Sequence, residues 1–352
     1  MISNESFSPV RISEFRKNPD FNKTDPAIIE KMIRALSLLE KLAANGLEFV
    51  FKGGTSLILL LDRPNRFSID IDITTSVSRE KLEGILNSVI KNSEFTSFNL
   101  DEKRSYKGDF PKAHYKFYWS ERGNDYILLD VQYGMQCYPE LLTKQIKSDW
   151  LITEEPYFSI NLPTKESILG DKLTAFAPNT TGVLYGKNKE TEIIKQLFDV
   201  SILIDEITDI KKVHQSFTNS VKNEVLYRNP EISHTDVLND IIKTALILSR
   251  REKNIDEPDK SNFMELSAGL RSFNNFLIRG SFRIEHAIEA SAKAAWLAVR
   301  MKQENYNPVL LFKTDIELLD WTNTNTDYTH IAKLKRSNQA AYHYWWNCLS
   351  EM

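Results

Sequence analysis

The chain has 352 residues, 41% of them hydrophobic and 26% charged, with a formal net charge of −3. That is the composition of an ordinary globular protein with two or three domains, and the charge excludes a uniformly basic nucleic-acid binder while leaving room for a local basic groove. Cys137 and Cys348 are the only cysteines and form no CxxC or Cys/His spacing, which argues against a disulfide scaffold and a structural zinc.

No internal repeat or low-complexity tract interrupts the chain. Asp25 can cap a helix and Pro26 suits its first turn. Ile29, Met32, Ile33, Leu36, Leu39, Leu42 and Ala43 then recur at helical spacing until Gly46 stops them. A strand over 48–52, a Gly53-Gly54 turn, a short helix over 56–61, a strand over 67–74 and a helix over 78–91 follow. Segments 95–103 and 114–120 read as strands, and the turn 121–125 leads into a further strand, Tyr126–Tyr133. The mixture predicts a small mixed sheet with helices on one side. A Pro-containing connection, 139–163, precedes segments that nearly all read as helix: 164–177, 190–204, 233–249, 284–302 and 332–350. The expectation is an α+β core over 1–150 and a mainly helical domain over 151–352. The apolar run 57–61 is far too short to cross a bilayer, and the N-terminus lacks the apolar stretch of a signal peptide, so a cytoplasmic location is expected.

The chemistry concentrates in 49–74, FVFKGGTSLILLLDRPNRFSIDIDIT. Glycine has no Cβ and tolerates positive φ, so a Gly-Gly-Thr-Ser turn lets backbone N–H groups approach a phosphate closely. Asp70 and Asp72 follow one residue apart in a strand, on the same face and roughly 6.5–7 Å apart along the backbone. A half-exposed strand with Ser68, Asp70, Asp72 and Thr74 on one face and Ile69, Ile71 and Ile73 on the other would show the same alternation. The glycine turn upstream tips the balance toward a phosphate and metal site, the toolkit of Mg²⁺-dependent phosphoryl or nucleotidyl transfer. Asp130, within the apolar strand YILLDVQY, is awkward unless hydrogen-bonded, paired or metal-bound, and it joins the same face if its strand lies beside 67–74. Lys172 falls among Ile168, Leu169, Leu173 and Phe176, where its stem can pack while its ammonium reaches a triphosphate. Lys195 and Asp199 form an i,i+4 pair that by itself supports a helix and nothing more.

These segments resemble the AbiEii/AbiGii-type toxin family of nucleotidyltransferases, distant relatives of the DNA polymerase beta-type fold. KGGTSL followed by RFSIDIDIT resembles the family's GGT(S/A)L turn and RxSxDID. YILLDVQY resembles the strand bearing the third acid, ESILGDKLTAF the motif with a functional lysine, and KQLFDVSIL a KDLxDL-like motif. The likeness covers 48–203. Gln196 stands where the family often has Asp, and the gap from Gly54 to Asp70 is longer than in the general nucleotidyltransferase signature.

The resemblance implies that Gly53, Gly54, Thr55 and Ser56 hold the nucleotide phosphates, with Arg66 and Ser68 beside them. It implies that Asp70 and Asp72 bind Mg²⁺, with Asp130 as third ligand or as the base on the acceptor hydroxyl. Lys172 would steady the triphosphate, and Asp199 would position that lysine or the nucleotide. The expected function is the toxin of a bacterial toxin–antitoxin or phage-defence pair, transferring a nucleoside monophosphate from an NTP. Relatives suggest an RNA acceptor such as the tRNA 3′ end, and a cognate antitoxin is the implied partner. Protein or small-molecule acceptors are the enzymatic alternatives, and a catalytically silent nucleotide-binding regulator or partner-binding module is the non-enzymatic one. The aromatic run 342–346 and the basic runs 250–253 and 333–336 could contact nucleic acid, but read more simply as packing and solvated faces.

Overall fold

Asp25 does cap the first long helix, accepting from the Ala27 N–H at 2.9 Å, and Ile29, Met32, Ile33, Leu36 and Leu39 of that helix are fully buried. The computed structural model describes residues 1–17, 24–106, 111–120, 125–226, 228–251, 256–322 and 325–352. The chain divides into two units. One comprises Met1–Gln136, Glu140–Thr164 and Asn275–Gly280, the other Cys137–Pro139, Lys165–Asn274 and Ser281–Met352.

The first unit runs α1 (Pro9–Lys17), α2 (Pro26–Ala44), β1 (Val50–Lys52), α3 (Gly53–Leu60), β2 (Ile71–Thr75), α4 (Arg79–Lys91), β3 (Ser97–Leu100), β4 (Lys112–Tyr118), β5 (Tyr126–Tyr133), β6 (Leu141–Gln145) and β7 (Ser159–Pro163). Its sheet has the order β3-β4-β5-β2-β1-β7-β6. β2 pairs parallel with β5 and β1 parallel with β7, while the other neighbours are antiparallel, so the expected mixed sheet of an α+β fold is present. Side chains alternate across a strand. Ile71 and Ile73, Leu129 and Val131, and Ala113, Tyr115 and Phe117 therefore fill one face, and α2 lies against β5 and α4 against β3. The opposite face carries Asp72, Asp130 and His114.

Four local expectations change. The helix predicted over 56–61 begins at Gly53 itself, so both glycines belong to its first turn. The strand predicted over 67–74 starts only at Ile71, leaving Asp70 just upstream of it. The segment 139–163, read as a connection, contributes β6 and β7 to the sheet edge. The strand over 95–103 shrinks to Ser97–Leu100 because Asp101 opens a turn, its carbonyl accepting from Arg104 and Ser105. Of the predicted turn 121–125, residues 121–124 lie outside the described residues.

The second unit is helical: α5 (Lys165–Ala175), α6 (Glu190–Ile204), α7 (Ile210–Leu226), α8 (His234–Arg250), α9 (Asp259–Phe273), α10 (Ile284–Lys302), α11 (Thr329–Ala332), α12 (Leu334–Ser337) and α13 (Gln339–Ser350). A Cβ on Gly170 would come 2.5 Å from the Phe217 backbone nitrogen, so glycine is what lets α5 touch α7. The single helix expected over 332–350 is three short ones. Asn338 leaves helical geometry at φ −159°, and its side chain caps α13 by accepting from the Ala341 N–H. Tyr342 and Trp345 are fully buried and Tyr344 nearly so, which is the packing role read for that aromatic run. Among the described residues no helix is long and apolar enough to cross a membrane.

Candidate active site

The first half of the site is built where β1 turns into α3. Gly53 has φ +74°, and a Cβ there would sit 2.1 Å from Asp72 Oδ2, so the bare backbone of the turn lies directly against that carboxylate. Gly54 is covered in the same way by Arg66 and Ser68: its absent Cβ would lie 2.5 Å from Arg66 Nη2 and 3.0 Å from Ser68 Oγ. Thr55 and Ser56 are both fully buried and serve the turn. Thr55 Oγ1 donates to the Asp70 carbonyl and Ser56 Oγ to the Gly53 carbonyl at 2.7 Å. Arg66 is 7% exposed and donates from Nη1 to the Phe67 carbonyl at 3.0 Å. Thr55 and Ser56, expected at the phosphates together with the two glycines, use their hydroxyls to hold the loop, while the bare glycine backbone lies against Asp72 at Gly53 and against Arg66 and Ser68 at Gly54.

Strand register assembles the acids. Lys52 of β1 faces Asp72 of β2, Asp72 faces Asp130 of β5, and Asp130 faces His114 of β4. Residues opposite one another in a sheet project to the same side, so these four form one row across four strands. Lys52 Nζ donates to Gln132 Oε1 at 2.5 Å, one step further along β5 on that face. Asp130 is bracketed on its other flank, with His114 Nδ1 2.6 Å from Oδ1 and Arg104 Nη2 3.7 Å from Oδ2. Lys52, Gln132, His114 and Arg104 were missed by the sequence reading. The alternation of β4 does place His114 with Lys116 and Tyr118 on its polar side, but nothing local says which residue of which strand lies opposite.

The second unit holds the other two expected residues. Lys172 of α5 and Asp199 of α6 are 5% and 1% exposed, with Nζ 2.8 Å from Asp199 Oδ2 and 3.0 Å from Gln196 Oε1. A buried ammonium needs such partners, since burying an unpaired charge costs several kcal/mol, on the order of 3–5 when one partner is removed. Gln196, the departure from the family motif, is therefore an acceptor for the lysine. Lys195 donates instead to Glu192 at 2.8 Å, one turn back on α6.

Among the described residues no group of three or more His, Cys, Asp or Glu side chains is gathered closely enough to hold a metal ion. The donor set still suits Mg²⁺. Asp72 offers hard oxygens from β2, with Asp70 just upstream of it in the chain, and that ion is commonly bound by one or two carboxylates, with water and substrate phosphates completing its shell. A closed cage is not required for it.

Residues 37–276 match the family described as "Nucleotidyl transferase AbiEii toxin, Type IV TA system", well over half the chain. The chain belongs to the AbiEii family. It is accordingly a nucleotidyltransferase, of a family of toxins in type IV toxin–antitoxin systems. No curated protein matches it. Among solved structures, an H. pylori protein bearing the name nucleotidyltransferase is 18% identical, covering 70% of this chain and 92% of its own, with a TM-score of 0.34. An antigenic nucleotidyltransferase-like protein from Paracoccidioides brasiliensis is 17% identical, covering 57% and 89%, with a TM-score of 0.35. The AbiEii match spans the glycine turn, all three acids and the Lys172–Asp199 pair.

Proposed function

We propose that this AbiEii-family chain transfers a nucleoside monophosphate from an NTP to an RNA acceptor, the tRNA 3′ end, with Mg²⁺ held by Asp70 and Asp72. The observation that supports the reading is the Asp72–Asp130 register, which sets two carboxylates opposite one another in adjacent strands, with the bare Gly53 backbone lying against Asp72. When bound, the metal would neutralise charge on the phosphates and on the attacking and leaving oxygens. The chain's own groups do the rest. Backbone N–H groups of the Gly53-Gly54 turn, with Arg66 and Ser68, hold phosphate oxygens. Asp130 takes the proton of the acceptor hydroxyl as its oxygen bonds to the α-phosphorus, and the α–β bridging bond breaks to release pyrophosphate. Lys172, fixed by Asp199 and Gln196, carries the positive charge assigned to the triphosphate. The antitoxin of such a system is the expected physiological counterpart, and the cytoplasm the expected place of action.

The test is transfer of label from each α-labelled NTP to total tRNA, with Mg²⁺ and with chelator, comparing the wild type with Asp72→Ala. Labelled tRNA from the wild type alone, and only with metal, is the expected result. A wild type that labels protein or a small molecule instead would replace the acceptor, and label from Asp72→Ala would remove the acid from the chemistry.

A further inference from the structure

The second unit contains a cleft of about 590 Å³ that none of this chemistry uses. One side of α9 supplies Phe263, Ser267, Leu270 and Arg271, at the spacing that puts side chains on one helix face. Phe282, Arg283 and Ile284 come from the entry to α10, and Arg251 from the end of α8. The basic run Arg250-Arg251-Glu252-Lys253 therefore divides. Arg250 turns to the Asp327 carbonyl at 3.1 Å, Arg251 lines the cleft, and Glu252 and Lys253 lie outside the described residues.

The floor is apolar and pinned in place. Phe263, Leu270 and Phe282 are each only 6% exposed. Asn274 locks Phe282 to α9, accepting its N–H at 2.8 Å while donating to the Leu270 carbonyl at 2.8 Å and the Phe282 carbonyl at 3.2 Å. The Phe282 ring stands edge-on to Phe198 and Phe273, with centroids 5.1 and 5.6 Å away. The rim is cationic. Arg251 is 3.3 Å from Glu285, whereas Arg271 and Arg283 are exposed and make no ion pair with any described residue. No carboxylate is among the described residues of the lining.

A preformed apolar floor under two uncommitted guanidiniums calls for a ligand with a flat, weakly polar body and an anionic group. Planar guanidinium forks match phosphate oxygens, and the exposed parts of the Phe263 and Phe282 rings offer apolar contact to a flat base. A cleft of this size holds a drug-sized molecule or one nucleotide, and is too small for a duplex. We propose that it binds a nucleotide unit, the base against Phe263 and Phe282 and the phosphate on Arg271 and Arg283. The unit is either a free nucleotide or an unpaired nucleotide of an RNA strand. The proposal does not depend on which acceptor the catalytic acids serve.

The experiment uses the full chain in an Asp72→Ala background, so that neither probe is consumed. Fluorescence anisotropy follows a fluorescein-labelled single-stranded oligoadenylate and, separately, N-methylanthraniloyl-ATP. One variant reverses the rim (Arg271→Glu with Arg283→Glu). The other, Ser267→Trp, fills the cleft at constant charge, with Ser267→Leu replacing it if tryptophan lowers the melting temperature. Both variants should weaken a probe about tenfold or more, and the rim variant should also flatten the salt dependence by about two counterions. Loss confined to the oligoadenylate assigns the site to RNA, and loss of the ATP analogue assigns it to free nucleotide. If filling the cleft changes neither probe, whatever the rim variant does, the effect is general electrostatics and the proposal fails. It fails equally if an acidic peptide alone occupies the cleft.

Discussion

His114 Nδ1 stands 2.6 Å from Asp130 Oδ1, directly opposite it in the β4–β5 register. The bond fixes one carboxylate oxygen and so orients the other. On the proposed mechanism, with Asp130 as the base, His114 would be a positioning residue acting through it. His114→Ala should lower kcat about 10–100-fold, the usual scale for losing a group that orients a ligand or base, with little change in KM for the NTP. Asparagine places an amide nitrogen where Nδ1 was and should restore most of the rate, whereas glutamine should not. Steady-state kinetics beside melting temperatures check this, and an alanine variant with wild-type kcat would remove the role.

Gly53→Ala tests the contact on which the site is built. The left-handed φ alone costs a residue with a Cβ about 1–2 kcal/mol. The new methyl would also occupy the place of Asp72 Oδ2, 2.1 Å away, and the carboxylate can escape by rotating. The fold should therefore survive with a modest loss of stability while nucleotidyl transfer falls far more than stability does. Unchanged transfer at reduced stability would show that Asp72 works from another rotamer.

Much of this was legible in the sequence because local rules governed it. The Asp25-Pro26 start, the α2 stripe, the glycine turn and the alternation that buries Ile71 and Ile73 while leaving Asp72 on the other face all follow from spacing and from residue type. What escaped was set by pairing between distant segments. Nothing in HYKFY says that His114 faces Asp130, or in 139–163 that two of its pieces join the sheet edge. Helix α7 was overlooked although Ile210, Val213, Phe217 and Val221 form a buried stripe at helical spacing. Asn338, polar and unremarkable in the sequence, divides what otherwise reads as one C-terminal helix.

The Lys172–Asp199 pair separates stability from function. Asp199→Ala leaves a buried ammonium with Gln196 as its one named acceptor and should cost about 3–5 kcal/mol. Replacing both, Lys172→Met with Asp199→Leu, removes the uncompensated charge and should return most of that stability. If Lys172 serves the triphosphate as proposed, activity should not return with it. Urea denaturation and NTP-dependent transfer on the wild type and the two variants decide the matter. A double variant both stable and active would make the pair purely structural.

His330 gives the pH dependence a sign. Burial, followed by the nearby Arg250 guanidinium, pushes its imidazole down to about 4 from an ordinary 6.5, against a smaller opposing effect of Asp327, and Lys333 adds to the lowering. Its ring lies 2.8 Å from Ser249 Oγ. Between those two values the unfolded chain holds the proton that the folded chain refuses, so stability rises with pH across the window. The contribution is complete above about 6.5 and lost as pH falls toward about 4. His214, also lowered by burial and then by His234, acts in the same direction. Because the His330 ring is part-exposed, its share should be on the order of 1–2 kcal/mol rather than the full value of the shift. His330→Gln keeps a polar group near Ser249 but cannot titrate. Its denaturation midpoint should fall less than the wild type's between neutral and mildly acidic pH, and parallel curves for the two proteins would rule out protonation of this ring as a source of acid sensitivity.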